Sequence, residues 1–371
     1  MVRDWVAEAI SKLREDECSI PPTPLIELDV EIPGSILIKD ESVHPTKSLK
    51  HRVARSLMQF GLCNGLIGPG THIVEASSGS AAISEAYFAK LLGLEFTAIV
   101  PASTAKAKID AILELGGNVE TVQPGQDLVS AAGRFAERAD RLFLDQFLNA
   151  ERASCWRGST NIAAELLAQF EAQGRAPPDW IVVGSGTGGT SSAIARHLRL
   201  RGLWGRTRLC VVDPKGSIFF RQFSDPGCEP GGTNSDHIEG IGRKRPSASF
   251  LPYLVDRMVE VPDEASIGAA IWLKETRKLG FGPSTGTNLI GALAMALGAK
   301  KDGRERHVVM LGCDPAFRYD STIFNPAWLA DKAIDPTAWI LRCEALVSGK
   351  EAGFAGIRLT RNFGHDPEIL T

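Results

Sequence analysis

The chain has 371 residues, 44% hydrophobic and 23% charged, with a net charge of −3 at pH 7, a length that admits two domains or one two-lobed enzyme. Interspersed charge of both signs excludes a basic footprint for nucleic acid or for an anionic membrane surface, and no apolar stretch approaches the roughly 20 residues of a bilayer span. The cysteines are odd in number and include no C-x-x-C pair, which argues for reduced thiols in a cytoplasmic protein and against a disulfide framework or zinc knuckle; the histidines show no metal-ligand spacing, so no metal is expected.

The opening MVRDWVAEAISKLREDE has the charge pattern of an amphipathic helix rather than of a secretion signal. Apolar runs then predict strands at 36–39, 72–76, 95–100, 119–122, 180–183, 208–212, 258–261 and 307–312. Between them, helix-period segments fall at 48–63, 81–92, 105–115, 128–139, 159–171, 190–200, 264–278 and 287–297. This alternation predicts an α/β fold of mostly parallel sheets flanked by helices. Two strand groups separate at a helical 149–173. The expected domains are a smaller, mobile one over 39–149 and a larger one over 1–38 and 150–335, with 336–371 an extension of unreadable role. The Gly/Pro/Asp-rich 224–236 reads as a surface loop.

Four segments can carry chemistry. In the first, Pro45 ends an extended stretch, and Ser48 can cap a helix that has Lys50 in its first turn. The macrodipole disfavours an ammonium there, so Lys50 loses its proton more readily and becomes a better amine nucleophile. On its own, the cluster of Lys47, Lys50 and Arg52 is also what a solvated basic turn looks like. In the second, a strand breaks at Ser77-Ser78-Gly79-Ser80 and enters a helix, presenting hydroxyls and N–H groups to a carboxylate, or simply capping that helix. The third, Gly184-Ser185-Gly186-Thr187-Gly188-Gly189-Thr190, joins a strand to a helix as a phosphate cradle does. It also fits G-x-G-x-x-G, with Asp213 where a ribose-binding carboxylate would stand, so a NAD-dependent dehydrogenase is an alternative. The fourth, Gly282-Pro283-Ser284-Thr285-Gly286, precedes another helix.

Together these segments resemble the fold-type II pyridoxal-phosphate enzymes of the cysteine synthase and cystathionine β-synthase family, over about residues 20–320. The family's P-T-G-S-x-K-[DH]-R segment matches Pro45 to Arg52, its T-S-G-N-T-G loop matches Ser77 to Ala82, and its G-x-G-T-G-G-T cradle matches Gly184 to Thr190 without a substitution. Gln146-Phe147 followed by Asn149 resembles its Gln-Phe-x-Asn segment, and Glu239-Gly240-Ile241-Gly242 resembles a loop that closes over the cofactor. Ser-Leu-Lys-His-Arg at 48–52 and Ile-Glu-Gly-Ile-Gly-Arg at 238–243 look most like the bacterial L-cysteine desulfhydrase branch. Lys47 and Ser80 depart from the glycine and asparagine of cysteine synthases, and Asp314-Pro315 follows the last strand.

The resemblance implies a pyridoxal 5′-phosphate cofactor bound as a Schiff base to the catalytic Lys50. Gly184, Gly186, Thr187, Gly188, Gly189 and Thr190 would hold its phosphate, with Ser80 and Ser284 on its ring. Ser77, Ser78, Gly79, Ser80, Gln146 and Gly240 would bind the substrate. A serine facing the ring nitrogen favours β-chemistry through α-aminoacrylate. The expected reaction is β-elimination on L-cysteine or a related β-substituted amino acid, giving sulfide, pyruvate and ammonia. The alternatives are a cysteine synthase-like β-replacement and a non-catalytic protein of the same fold. A homodimer is implied by the resemblance only.

Overall fold

The structure is a computed structural model that describes residues 2–233, 235, 237–298, 305–350, 353–354 and 356–360, with the backbone of 368–369. In chain order the helices are α1 (Val2–Ser19), α2 (Lys50–Cys63), α3 (Ser80–Leu92), α4 (Lys106–Glu114), α5 (Leu128–Phe135), α6 (Gln146–Ala153), α7 (Ile162–Ala172), α8 (Gly189–Leu200), α9 (Ile218–Ser224), α10 (Asp263–Glu275), α11 (Pro283–Leu297), α12 (Pro326–Asp331) and α13 (Thr337–Val347). The strands are β1 (Leu25–Leu28), β2 (Gly34–Asp40), β3 (His72–Ala76), β4 (Phe96–Pro101), β5 (Asn118–Val122), β6 (Arg141–Phe143), β7 (Trp180–Gly184), β8 (Arg208–Pro214), β9 (Arg257–Val261), β10 (Arg306–Gly312), β11 (Arg358–Thr360) and β12 (Glu368–Ile369).

The chain divides into two compact units, Met1–Pro22 with Val43–Cys155, and Thr23–Ser42 with Trp156–Thr371. The smaller unit is built on a parallel sheet in the order β5-β4-β3-β6. Its inner strands β3 and β4 are buried almost throughout, as strands covered by helices on both faces require, while the edge strand β5 is exposed or half-buried along its length. The boundary differs from the sequence expectation at the N-terminus. Within 1–38, α1 belongs to the smaller unit because Ala9 and Leu13 pack into its core with Val53, Leu57 and Phe88.

The larger unit holds a sheet in the order β1-β2-β10-β7-β8-β9-β11-β12. Its central strands β2, β10, β7, β8 and β9 run parallel, and β1 and β11 pair antiparallel at the flanks. Helix α11 is buried from Pro283 to Ala296, and its glycines allow that depth: a Cβ on Gly291 would fall 2.2 Å from Val212 Cγ1. The segment after 335 does have a structural role. Helix α13 sinks Trp339, Cys343, Leu346 and Val347 into the core of the larger unit, and β11 extends its sheet. Within the loop expected over 224–236, Asn234 and Asp236 lie outside the described residues. No described helix is long and apolar enough to cross a membrane.

Candidate active site

In the smaller unit the order β3, β4, β5 runs outward on one side of β3, and β6 returns on the other. Open α/β sheets bind ligands outside the carboxyl ends of their strands at such a reversal. The predicted substrate residues of this unit, 77–80 and Gln146, leave these two strand ends. Ser77, Ser78, Gly79 and Ser80 follow β3 and are half-buried, and the Gly79 N–H donates to Ser77 Oγ at 3.2 Å. Gly79 is the extended residue before α3, whose first turn carries no acidic side chain to occupy its N–H groups. Gln146 follows β6 as the buried first residue of α6. Asp145, at φ +47°, turns the chain into that helix and accepts the Leu148 N–H at 3.1 Å.

Glu75 joins the two connections. It has no solvent exposure, its Oε1 accepts the Ala76 N–H at 2.7 Å, and its Oε2 accepts the Gln146 N–H at 3.1 Å. Burial pushes its carboxyl up to about 8 against these stabilising hydrogen bonds. A second buried carboxyl, Glu85, stands on α3, and its Oε2 has no hydrogen-bond partner. Burial first, and then the neighbouring Glu75, push Glu85 well above the usual range, while the charge of Lys50 opposes them. Lys50 therefore lies in the field of the Glu85 carboxyl on α3. It is the half-buried first residue of α2, its N–H bonded to Ser48 Oγ at 3.2 Å. Leu49 occupies the capping position expected for Ser48, without a side-chain bond. Lys47 is exposed at φ +54° and closes a tight turn through its N–H to the His44 carbonyl at 2.7 Å.

The larger unit has its own reversal, with β8 and β9 on one side of β7 and β10 on the other. Gly184 ends β7, and Gly186, Thr187 and Gly188 lead into α8, which opens with Gly189 and Thr190. Gly188 holds φ +95°, and a Cβ there would fall 2.4 Å from Phe250 Cα. Ser247 Oγ donates to the Thr187 carbonyl at 2.7 Å, and the Gly242 N–H donates to the Ser185 carbonyl at 2.9 Å. The Gly242 bond places the loop around the exposed Gly240 against the glycine turn. Ile241 packs so close to Gly184 that a Cβ there would meet it at 2.8 Å. Ser284 is buried in the first turn of α11, at the end of β10: Thr285 Oγ1 accepts the Cys313 N–H at 2.9 Å, and the Gly282 N–H reaches the Asp314 carbonyl at 2.9 Å.

These residues suit a phosphorylated cofactor. At Gly184 and Gly188 the glycine turn leaves no room for a Cβ, and the helix it opens directs its N–H groups and positive end at an anion. The Ser185 hydroxyl beside it is buried with no partner, as is expected of a group awaiting a ligand. Ser185 went unassigned in the sequence because it fills a variable position of the cradle. Glu75 and Glu85 were also missed, since a single acidic residue in an apolar strand or helix gives no periodic signal. Asp213 is corrected: it is fully buried, accepts the Phe220 N–H at 2.9 Å, and is pushed well above the carboxylate range by burial. It supports the start of α9 and is out of reach of a ribose. Among the described residues, no group of three or more His, Cys, Asp or Glu side chains is arranged to hold a metal ion.

The profile of the pyridoxal-phosphate dependent enzymes matches residues 18–314, and the chain belongs to that family. The nicotinamide alternative is thereby set aside. Its relatives include an L-cysteine desulfhydrase of Mycobacterium tuberculosis, 45% identical over 340 residues that span 90% of this chain and 92% of the relative. An N-(2-amino-2-carboxyethyl)-L-glutamate synthase of Cupriavidus metallidurans is 31% identical over 84% of this chain and 90% of its own length. The solved structure of a hydrogen sulfide-producing enzyme complexed with an α-aminoacrylate intermediate superposes with a TM-score of 0.73, at 26% identity, over 84% of this chain and 91% of that one.

Proposed function

We propose that this chain catalyses β-elimination on L-cysteine, or on a related β-substituted L-amino acid. With L-cysteine the balance is one cysteine and one water to one hydrogen sulfide, one pyruvate and one ammonia. The observation that carries this reading is the 45% identity to an L-cysteine desulfhydrase along nearly the whole of both chains.

Pyridoxal phosphate, when bound, supplies an aldehyde and an electron-withdrawing ring that acidify the α C–H of an amino acid and let a β-substituent leave with its electron pair. Lys50 is the residue that would bond to that aldehyde, and its amine, once displaced, takes up the α proton and returns protons to departing groups. Ser77, Ser78, Gly79, Ser80 and Gln146 hold the substrate carboxylate through N–H groups, hydroxyls and an amide. As the family resemblance implies, Gly184, Gly186, Thr187, Gly188, Gly189 and Thr190 would hold the phosphate, Ser80 and Ser284 would serve the ring, and Gly240 would serve the substrate. Ser284 is neutral at every accessible pH, so it does not keep a ring nitrogen protonated as a carboxylate would, which favours β-departure over transamination.

A second reading, β-replacement, is supported by the synthase among the relatives. The two are separated by incubating the holoenzyme with L-cysteine, L-serine or O-acetylserine, with and without sulfide. Pyruvate and sulfide from L-cysteine alone support elimination, whereas cysteine formed from O-acetylserine and sulfide without pyruvate supports replacement. We also propose a homodimer, as the family resemblance implies, and a reducing, cytoplasmic setting, which the exposed thiols of Cys18 and Cys63 outside any disulfide favour.

A further inference from the structure

A buried polar chain that the reaction above does not use runs beneath the start of α2. His51, the residue after Lys50, has no solvent exposure. Its Nε2 is 3.1 Å from Asp16 Oδ1 on α1, and its Nδ1 is 3.2 Å from Thr46 Oγ1. Thr46 Oγ1 is 2.9 Å from Ser84 Oγ on α3, and Ser84 donates to the carbonyl of Ser80 at 2.8 Å. Asp16, Thr46 and Ser84 are buried. The chain thus runs from the N-terminal helix, past the neighbour of Lys50, to the carbonyl of the residue that opens α3.

Counting hydrogens decides its state. A neutral imidazole carries one N–H, and each hydroxyl carries one O–H. That is three hydrogens for four contacts. If the Nε2–H goes to Asp16, the Thr46 O–H to Nδ1 and the Ser84 O–H to the Ser80 carbonyl, the Thr46–Ser84 contact is left with two facing oxygens and no hydrogen. An imidazolium supplies the fourth: Nδ1–H to Thr46, Thr46 O–H to Ser84, and Ser84 O–H to Ser80. We infer that His51 is a positioning residue for Lys50 and the 77–80 turn, and that uptake of one proton by His51 completes the hydrogen-bonded chain from Asp16 to Ser80.

The groups facing His51 come from every element around it. Asp16 lies on α1, with Tyr87 of α3 donating to its second oxygen at 3.0 Å and Arg55 of α2 at 3.6 Å from its first. Arg55 also pairs with Glu17 at 2.8 Å. His44 stacks on the imidazole at 5.0 Å between centroids, and Phe88 packs at 4.7 Å. Burial is the largest influence on His51 and lowers its pKa; Asp16 opposes it, while His44 and Arg55 add to it. The imidazole is therefore neutral at neutral pH with the chain one hydrogen short, and protonation of His51 completes it.

This inference rests on the assignment of Lys50 and Ser80 to the site, and its test separates the two. Histidine-labelled holoenzyme is titrated by ¹⁵N NMR, and KM and kcat for L-cysteine are followed over the same pH range. In the wild type the neutral tautomer of His51 carries its hydrogen on Nε2, and KM falls roughly threefold to tenfold as the imidazole is protonated, the worth of one hydrogen bond. Asp16→Asn moves both transitions to lower pH. Thr46→Val, isosteric but without the hydroxyl, leaves His51 titrating and removes the KM step; Ser84→Ala cuts the chain one link further on and gives the same result if the valine variant fails to fold. A KM profile in these variants that overlays the wild type, or a neutral His51 with its hydrogen on Nδ1, overturns the inference. Failure of the site assignment shows separately, as a Lys50→Ala variant that keeps its borohydride-sensitive band.

Discussion

The backbone N–H of Gln146 donates to Oε2 of Glu75 at 3.1 Å, across 71 positions of sequence, and so pins the first residue of α6 to the carboxyl end of β3. Since Glu75 Oε1 takes the Ala76 N–H, one buried carboxyl fixes both connections from which the proposed substrate residues 77–80 and Gln146 emerge. The pin and Glu85 make the smaller unit sensitive to alkali.

A carboxyl whose folded pKa is raised contributes stability that is full below its unfolded pKa and is lost as pH rises through the folded one. For Glu75 that window runs from 4.5 to about 8; Glu85 shifts in the same direction and has no donor on Oε2. Glu85→Leu is therefore expected to gain on the wild type as pH rises, with the difference growing by up to about 1.4 kcal/mol per pH unit. Denaturant unfolding at pH 5, 6.5 and 8 checks this. A difference between variant and wild type that stays constant or falls from pH 5 to pH 8 contradicts it.

Gly188→Ala places a Cβ 2.4 Å from Phe250 Cα at a residue with φ +95°, forcing the glycine turn open. Its Kd for pyridoxal phosphate is expected to rise about tenfold or more, a cost of at least ~1.4 kcal/mol. Absorbance titration of the stripped protein reads this directly, and wild-type affinity would remove the turn from the cofactor site.

Lys47 occupies a left-handed conformation at φ +54°, which costs a residue with a Cβ roughly 1 kcal/mol. Lys47→Gly is expected to raise the unfolding free energy by about that amount and to leave the cofactor's visible band intact. Loss of the band on this substitution would mean that Lys47, rather than Lys50, holds the cofactor.

Ser284→Asp introduces a carboxylate into the first turn of α11 and should favour a protonated ring nitrogen. The expected outcome is a several-fold slower release of pyruvate with new side products from transamination, followed by product analysis during turnover. An unchanged product ratio would dissociate Ser284 from the ring nitrogen.

The parts of the fold that rest on local pattern were readable in the sequence. Strand β3 forms over the predicted 72–76, and the 180–183 run continues into Gly184 and the helix after the glycine turn. Helix α11 begins earlier than the periodicity indicated: Pro283-Ser284-Thr285-Gly286 has turn composition, but Pro283 suits a first helical position and burial of every residue through Ala296 outweighs propensity. The short β6 has too few residues to show a period, and α13 gave no signal because its burial comes from packing against α10. The glycine cradle and the lysine segment were legible because each is contiguous. Glu75, Glu85 and the Asp16–His51 pair were not, because their environments exist only once distant segments meet.

The most direct test reduces the holoenzyme with borohydride, digests it and locates the pyridoxyl adduct by mass spectrometry. The expected result is a single adduct on Lys50, absent from Lys50→Ala. An adduct on Lys47 or another lysine, or none in a protein that carries the cofactor, would contradict the account.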